Sequence, residues 1–400
     1  MPSAAPLRDE ISRIFPERPF AIEFWDGSQL PPTNGGGPTF RLQSRKAVAH
    51  ALRAPGQLGI GRAYVTGDIA VDDLDAAMRV VLNWQPSPVD RKDQAKLALA
   101  ALRAAGPLLP PSPPSAELRP KGRLHSITRD ARSVRHHYDL PPEFYGLFLD
   151  GSMTYSCAIF SRGAATLEEA QRTKLDLVCT KLKLQPGERV LDVGCGWGSW
   201  VLHAAREYGV HVTGITLSEP QARIARQRAA DEGLADKVDI RVQDYRELRG
   251  ERFDAIASIG MVEHVGEAQI DVYAQQLHDL LQPGGRLLNH GIARLSPKAP
   301  EPGPFSERYV FPDGDPLPLS RIELALERAG FETEHVEGFC EDYAETLRHW
   351  ARRLDENLDE ATRLAGPERT RVWRLYLRAA RNGFETGFTS IYQVRCHAAS

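Results

Sequence analysis

The sequence predicts an α/β fold: a doubly wound, mostly parallel sheet preceded by a smaller α+β unit. Three observations carry this. From about residue 168, strand-like apolar runs alternate with helical patterns. One of them, "VLDVGCGWGSW" from Val190 to Trp200, passes from an apolar strand through an acid into a turn with glycine at every other position. Ligands bind open parallel sheets at such strand ends. Finally, 400 residues with 42% hydrophobic and 26% charged content suffice for two domains with a sizeable core.

Taken in order, residues 1–15 read as frayed. "FAIEFWDGSQL" alternates and closes on Asp-Gly, a hairpin signal. "NGGGPTFRLQS" is a glycine turn leading into a short strand, and "SRKAVAHALRA" a short helix. "GIGRAYVTGDIAVDDLDAAMRVVLN" reads as strand or loop, then a helix entered through Asp72 and Asp73. These elements make residues 1–105 an N-terminal α+β domain. "GPLLPPSPPSAELRP" holds six prolines, so residues 106–125 are expected to be a spacer. From Arg91 to Arg135 there are ten Lys or Arg against three Asp or Glu, a patch suited to anionic lipid headgroups or to a solvated linker. No aromatics interleave it, which speaks against nucleic acid.

Residues 126–400 form the expected catalytic domain. A helix over Leu167–Leu184 leads to strand Arg189–Val193. "HVTGITL", "VDIRVQD", "FDAIASIG" and "PGGRLLNHGI" supply further strands, with helices near Glu219 and over Ala268–Leu281. "FETEHVEGF" and "TSIYQVRC" are strands separated by 49 residues of helical pattern, where Tyr343, Leu347, Trp350, Leu354 and Leu358 share one face.

Composition excludes several classes. The net charge of −3 selects no partner. Five cysteines at irregular spacing fit neither a disulfide framework nor a metal site, so a reducing, cytoplasmic setting is expected and no metal. No basic stretch with a following apolar run opens the chain, so no signal peptide is expected. No apolar run is long enough to span a bilayer.

The turn Asp192-Val193-Gly194-Cys195-Gly196-Trp197-Gly198 permits positive φ and close backbone approach by a ligand. Its spacing differs from the dinucleotide fingerprint and it lacks the Lys-Ser/Thr of a phosphate loop. It resembles the nucleoside-binding loop of S-adenosylmethionine-dependent methyltransferases, as does "LQPGG", Leu281–Gly285, the turn before a fifth strand. One departure is that Thr216 and Leu217 stand where an acid usually grips the ribose.

Longer motifs narrow the resemblance: "GRAYVTGDI", "HYDLPPEFYGLFLDGSMTYSCAIF", "SIGMVEHVG", "RYVFPDG" and "DYAETLRHW". Over about residues 20–395 the chain is similar to the cyclopropane-fatty-acyl-phospholipid synthase family, which includes mycolic acid cyclopropane synthases and members forming 10-methylene fatty acids. The resemblance implies a class I methyltransferase sheet of seven strands with a helical insert. It implies S-adenosyl-L-methionine held by Tyr155, Ser156, Asp192, Gly194, Gly196, Thr216, Leu217, Gln221, Asp244, Tyr245 and Ile259. It also implies bicarbonate as the base, at Cys157, Glu263, His290, the backbone of Ile292, and Tyr343.

From position alone, Glu263 and His290 follow or end parallel strands at the ligand-binding edge, whereas Tyr343 fits an apolar helix face equally well. Tyr138, Phe144, Tyr145, Tyr309 and Phe311 are candidates to face a carbocation. Ala380 stands where some members carry a once-suspected catalytic cysteine. The implied reaction adds a one-carbon unit to a cis double bond of a phospholipid acyl chain, giving a cyclopropane. A 10-methylene branch, to be completed by a reductase, is the alternative. A small-molecule methyltransferase and a non-catalytic lipid binder are the competing classes. On that resemblance residues 1–105 would be the lipid-engaging domain, and the protein a homodimer, peripheral at the inner face of the cell membrane.

Overall fold

The computed structural model describes residues 3–107, 111–118, 140–295, 304–310 and 314–399. His137, Tyr138 and Phe311 lie outside the described residues, as does the basic stretch from Arg119 to Arg135. The chain divides into two units: Met1–Arg119 with Pro302–Val310 and Leu358–Ala379, and the remainder.

In the first unit, strands β1 (Ala21–Glu23), β2 (Gln29–Leu30), β3 (Thr39–Leu42) and β4 (Ile69–Val71) form a sheet in the order β2-β1-β3-β4. The Asp-Gly hairpin joins β1 to β2, with Gly27 at φ 81°. Three sequence expectations change here. Residues 5–14 are a helix rather than a frayed end, because Leu7 is buried, Ile11 packs on the same apolar cluster and Asp26 accepts the N–H of Ala4 at 2.7 Å. Residues 57–66 are also helical. Their glycines serve close approach instead of breaking the helix: a Cβ on Gly59 would stand 2.2 Å from the carbonyl oxygen of Ala54, and one on Gly61 2.5 Å from the ring of Phe305. The third change concerns the described part of the proline-rich joint, which is built into this unit. Ala116 is buried, Leu118 N–H donates to Arg308 O at 2.8 Å, and the Arg62 guanidinium grips the Glu117 carboxylate through two 2.7 Å hydrogen bonds.

The second unit carries β5 (Arg189–Val193), β6 (His211–Thr216), β7 (Val238–Val242), β8 (Phe253–Ile259), β9 (Leu281–Arg294), β10 (Phe331–Gly338) and β11 (Thr389–Ala398). Their order is β10-β11-β9-β8-β5-β6-β7; β5 to β9 run parallel and β11 lies antiparallel between β9 and β10. This is the seven-stranded, mostly parallel sheet that the resemblance implies. The "LQPGG" segment lies at the start of β9 itself, where the pairing with β8 shifts register between Phe253 and Ala255. The sheet's two faces are filled by separate apolar clusters, one including Leu191, Ile256, Leu287 and Tyr273, the other Val190, Val212, Ala255 and Trp200. The helical insert is a helix at Cys340–Glu356 followed by Leu358–Glu385, which bends where Gly366 (φ 76°) precedes Pro367.

Candidate active site

Because β5 to β9 are parallel, their C-terminal ends share one edge, and the loops that leave them supply the site. At the end of β5, Gly194, Gly196 and Gly198 have φ of 87°, 54° and 83°. The N–H groups of Gly194 and Cys195 both donate to Ile215 O at 3.0 Å, so β6 pins the turn. A Cβ on Gly198 would come 3.0 Å from that of Ala225, whereas one on Gly196 would meet nothing within 4 Å and would project into space a ligand can use. At the end of β6, Thr216 Oγ1 donates to Gln221 Oε1 at 3.0 Å, and Ser218 caps the helix that carries Gln221. Thr216 and Leu217 thus replace the usual acid with a neutral hydroxyl–amide pair. After β7, the buried Asp244 carboxylate is held by Arg246 at 2.7 and 2.9 Å.

These residues line one cavity: Gly194, Gly196, Thr216, Leu217, Gln221, Asp244 and Tyr245. An adjoining cavity shares Gly194, Gly196 and Gln221 and adds Tyr155, Ser156, Asp192 and Ile259. Every residue that the resemblance assigns to the nucleoside therefore lines one of two neighbouring cavities. The second is lined by Lys174 and Asp192; among the described residues Asp192 Oδ1 is buried without a hydrogen-bond partner, and burial pushes that carboxyl up to about 7. An orphaned carboxylate oxygen beside positive-φ glycines fits a nucleoside with a charged tail.

The segment over this cavity is held from below. Asp150 accepts the N–H groups of Ser152 (2.9 Å) and Thr154 (3.0 Å). Gln171 donates to Ser156 O at 2.9 Å, and Lys174 Nζ to Ser156 Oγ at 2.9 Å. The ring of Tyr155 stacks on Trp350 with centroids 5.2 Å apart. Farther on, Thr346 donates its hydroxyl to Asp342 O, and its Oγ1 accepts the N–H of Ala158 at 3.0 Å. Sequence reasoning missed Lys174 and Gln171. Their signal was available: both lie on the buried stripe of Leu167, Ala170, Leu175 and Val178, where a lysine needs a reason.

Of the residues assigned to the anion, Glu263, His290 and Ile292 meet at β9 and Cys157 lies near Phe339, while Tyr343 is tied to Phe339 through its backbone and its ring packs 4.6 Å from that of Phe384. Glu263 occupies the helical turn Val262–His264 that follows β8. Its Oε2 is buried with no hydrogen-bond partner among the described residues, and burial pushes its carboxyl up to about 7. The backbone N–H of Ile292 acts the other way, favouring the charged form. His290 is fully buried, both ring nitrogens lack partners among the described residues, and burial holds its imidazole well below the usual range, hence neutral. Its ring lies 6.5 Å from that of Phe339. The Phe339 carbonyl in turn accepts the N–H of Tyr343 at 3.1 Å and lies 3.9 Å from Cys157 Sγ. Cys157 is buried and its thiol pushed far up by burial, so it is no thiolate nucleophile.

Among the proposed cation-facing aromatics, Phe144 and Tyr145 are buried in a cluster that continues through Phe148 to Trp350. Tyr309 belongs to the first unit, where its hydroxyl donates to Glu117 at 3.2 Å.

Residues 125–394 match the family described as mycolic acid cyclopropane synthetase. A relative named "probable fatty acid methyltransferase" from Mycobacterium tuberculosis is 40% identical over 364 residues, 88% of this chain and 85% of that one. The cyclopropane-fatty-acyl-phospholipid synthase of Escherichia coli K12 is 34% identical, covering 90% of this chain and 88% of its own. A crystal structure of a mycolic acid cyclopropane synthase complexed with SAH and CTAB superposes with a TM-score of 0.64 at 34% identity, over 67% of this chain and 98% of that one. The chain belongs to the mycolic acid cyclopropane synthetase family and is an S-adenosylmethionine-dependent lipid methyltransferase.

Proposed function

We propose that the enzyme converts a cis double bond of a phospholipid acyl chain into a cyclopropane, with bicarbonate as the bound base. The observation that supports this most is the pair of buried, unpartnered groups at the end of the parallel sheet: Glu263 Oε2 and both nitrogens of His290. Buried polar atoms without partners are rare and ask for a ligand. A protonated oxyanion suits them, since His290, being neutral, presents one donor and one acceptor, while ionised Glu263 accepts.

S-adenosylmethionine, when bound, supplies an electrophilic methyl group. The chain's own residues do the rest. The glycine turn, Thr216–Gln221 and Asp244 hold the nucleoside, and Tyr155 with Ser156 cover it. Phe144, Tyr145 and the stacked Tyr155–Trp350 pair surround the acceptor with apolar and π surface, excluding water and favouring positive charge on the acyl chain. Glu263, His290, Tyr343 and the backbone at Cys157 and Ile292 would hold bicarbonate, which supplies a base for the proton lost on ring closure. Fixed groups aimed at developing charge lower the barrier without reorganising.

The substrate reading extends to the membrane surface. No described helix is long and apolar enough to cross a membrane. The helix Arg91–Ala105 instead exposes Leu99 (47%) and Leu102 (57%) beside Arg91, Lys92 and Arg103, an amphipathic face suited to an anionic interface. The experiment is mass spectrometry of fatty acyl products after incubating the purified enzyme with S-adenosylmethionine and vesicles of oleoyl phospholipid. A chain heavier by one CH₂ and saturated in a ring is expected. A methylene branch would replace the cyclopropane assignment and call for a reductase downstream. No modified chain would refute the substrate class.

A further inference from the structure

Gln393 is a buried polar side chain that the reaction above does not use. It lies on β11, is 0% exposed, and neither its Nε2 nor its Oε1 has a hydrogen-bond partner among the described residues. β11 pairs with β9 so that Gln393 stands directly opposite His290. Residues directly opposite on antiparallel strands share one face of the sheet, with Cβ atoms about 5 Å apart. That face is the one beside the helix Leu167–Lys181: Arg395, two residues along β11, donates to Lys181 O at 3.4 Å. On its other side Gln393 stands opposite Glu337 of β10. The Glu337 carboxylate is already held by Lys181 at 2.6 Å and by Arg162. The complement left to Gln393 is His290, whose two ring nitrogens are also without partners among the described residues.

Burying an amide is costly unless it is hydrogen-bonded, and a methionine would fill the same length without that cost. Four unpaired polar atoms on two facing side chains therefore ask to serve each other or a ligand. An amide offers donors on nitrogen and an acceptor on oxygen, and a neutral imidazole offers one of each. A histidine that donates to an anion from one ring nitrogen must carry its lone pair on the other. Which nitrogen keeps the proton is decided by the hydrogen bond that the other one makes.

We propose that Gln393 is the positioning residue of His290: its amide nitrogen donates to one ring nitrogen, directly or through one water, and so keeps the proton on the other, which donates to the bound base. This rests on the reading of His290 as a donor to that base and adds the residue that fixes its tautomer. Without Gln393 the imidazole exchanges between two tautomers, one of which turns a lone pair toward the anion and holds it poorly.

The test is NMR of the full-length protein labelled with the heavy nitrogen isotope at histidine, with His290 assigned by the loss of its signals in His290→Ala, together with steady-state kinetics. In wild type the His290 ring is expected to show one tautomer, with one protonated and one bare nitrogen. Gln393→Met keeps the length and loses the donor, so it should mix the tautomers. It should also lower kcat by about 10-fold, the scale of one hydrogen bond, with KM for S-adenosylmethionine within about twofold. In a His290→Ala background the same substitution should change kcat by less than about twofold, because its partner is gone. An unaltered His290 spectrum in Gln393→Met overturns the proposal, and so does an equal loss of kcat in both backgrounds. If Gln393→Met does not fold, wild type still decides: a His290 ring averaged between tautomers refutes the contact. Parental turnover by His290→Ala, with the spectra as expected, leaves the contact standing and overturns the reading of the base site and the catalytic role that rests on it.

Discussion

The carboxyl of Glu263 rests against the bare Cα of Gly291: a Cβ there would stand 3.2 Å from Oε2 and 2.2 Å from Val262 Cγ1. Gly291 is therefore a glycine for reasons of space, and it fixes where the carboxyl points. Gly291→Ala is expected to destabilise the protein by about 1–3 kcal/mol through overpacking. Lipid turnover should fall at least ~10-fold as Glu263 is displaced, since small misplacements at a reacting centre are costly. Thermal unfolding and product formation check the two effects, and S-adenosylhomocysteine affinity should stay near that of the parent.

Glu263 and His290 differ in what pH does to them. Burial keeps His290 neutral across the working range, and of the two carboxyls raised to about 7, Glu263 and Asp192, only Glu263 faces the proposed base, so its ionisation is expected to set the acid limb of the pH–rate profile. Turnover should rise with pH through about 7 as Glu263 ionises. Glu263→Gln should be slow and lack that limb. His290→Ala should be slow but keep whatever limb is measurable. A parental pH profile in Glu263→Gln would refute the assignment.

Stability should carry the opposite pH trend. The folded-state carboxyls of Glu263 and Asp192 sit at about 7, above their ordinary values of 4.5 and 3.8, so the folded protein binds these protons more tightly than the unfolded chain. Their contribution is full below the unfolded values and is lost as pH rises through about 7. Each amounts to at most about 3–4 kcal/mol. Urea unfolding between mildly acidic and neutral pH should show the loss. Glu263→Gln and Asp192→Asn should each flatten it, and an unchanged slope in both would exclude the carboxyls as its source.

Trp350 is fully buried and forms the platform on which Tyr155 stacks. Trp350→Ala should cost about 3–5 kcal/mol. Trp350→Phe should fold, yet loosen Tyr155 and weaken S-adenosylhomocysteine binding by up to ~10-fold, the scale of one aromatic contact. Titration of that variant reads the effect directly, and unchanged affinity would separate the stack from ligand binding.

Much of the catalytic unit was readable because its elements are local. Arg189–Val193 runs into a glycine turn whose every step is written in the chain, and the alternation that follows imposes a parallel sheet. Glu263 was legible as a residue that follows a strand, whereas His290, expected to end its strand, lies within β9, which runs on to Arg294 because β11 continues to pair with it. Lys174 was not legible, because a lysine on a helix reads as solvent-facing until its neighbours on the stripe are seen to be buried. Phe339 was missed because its role depends on three residues brought together from distant parts of the sequence. The helix over residues 57–66 failed as a reading because Gly59 and Gly61 look like breakers, while their actual job is to let other backbone and ring atoms come close. Propensity is a local quantity and yields to packing where space decides.

The first unit is finished by residues from far along the chain. Arg371 donates to the carbonyl of Val65 at 3.0 Å, Arg378 reaches Asp75 at 3.1 Å, and Ser115 donates to Glu368 at 2.6 Å. A nascent polypeptide leaves the ribosome amino end first. Residues up to 119 therefore cannot complete their unit's interior until residue 379 has emerged, by which time most of the second unit is already outside the exit tunnel. The order of synthesis and the order of folding are thereby uncoupled, and a fragment that stops at residue 119 is born without the segments that close it.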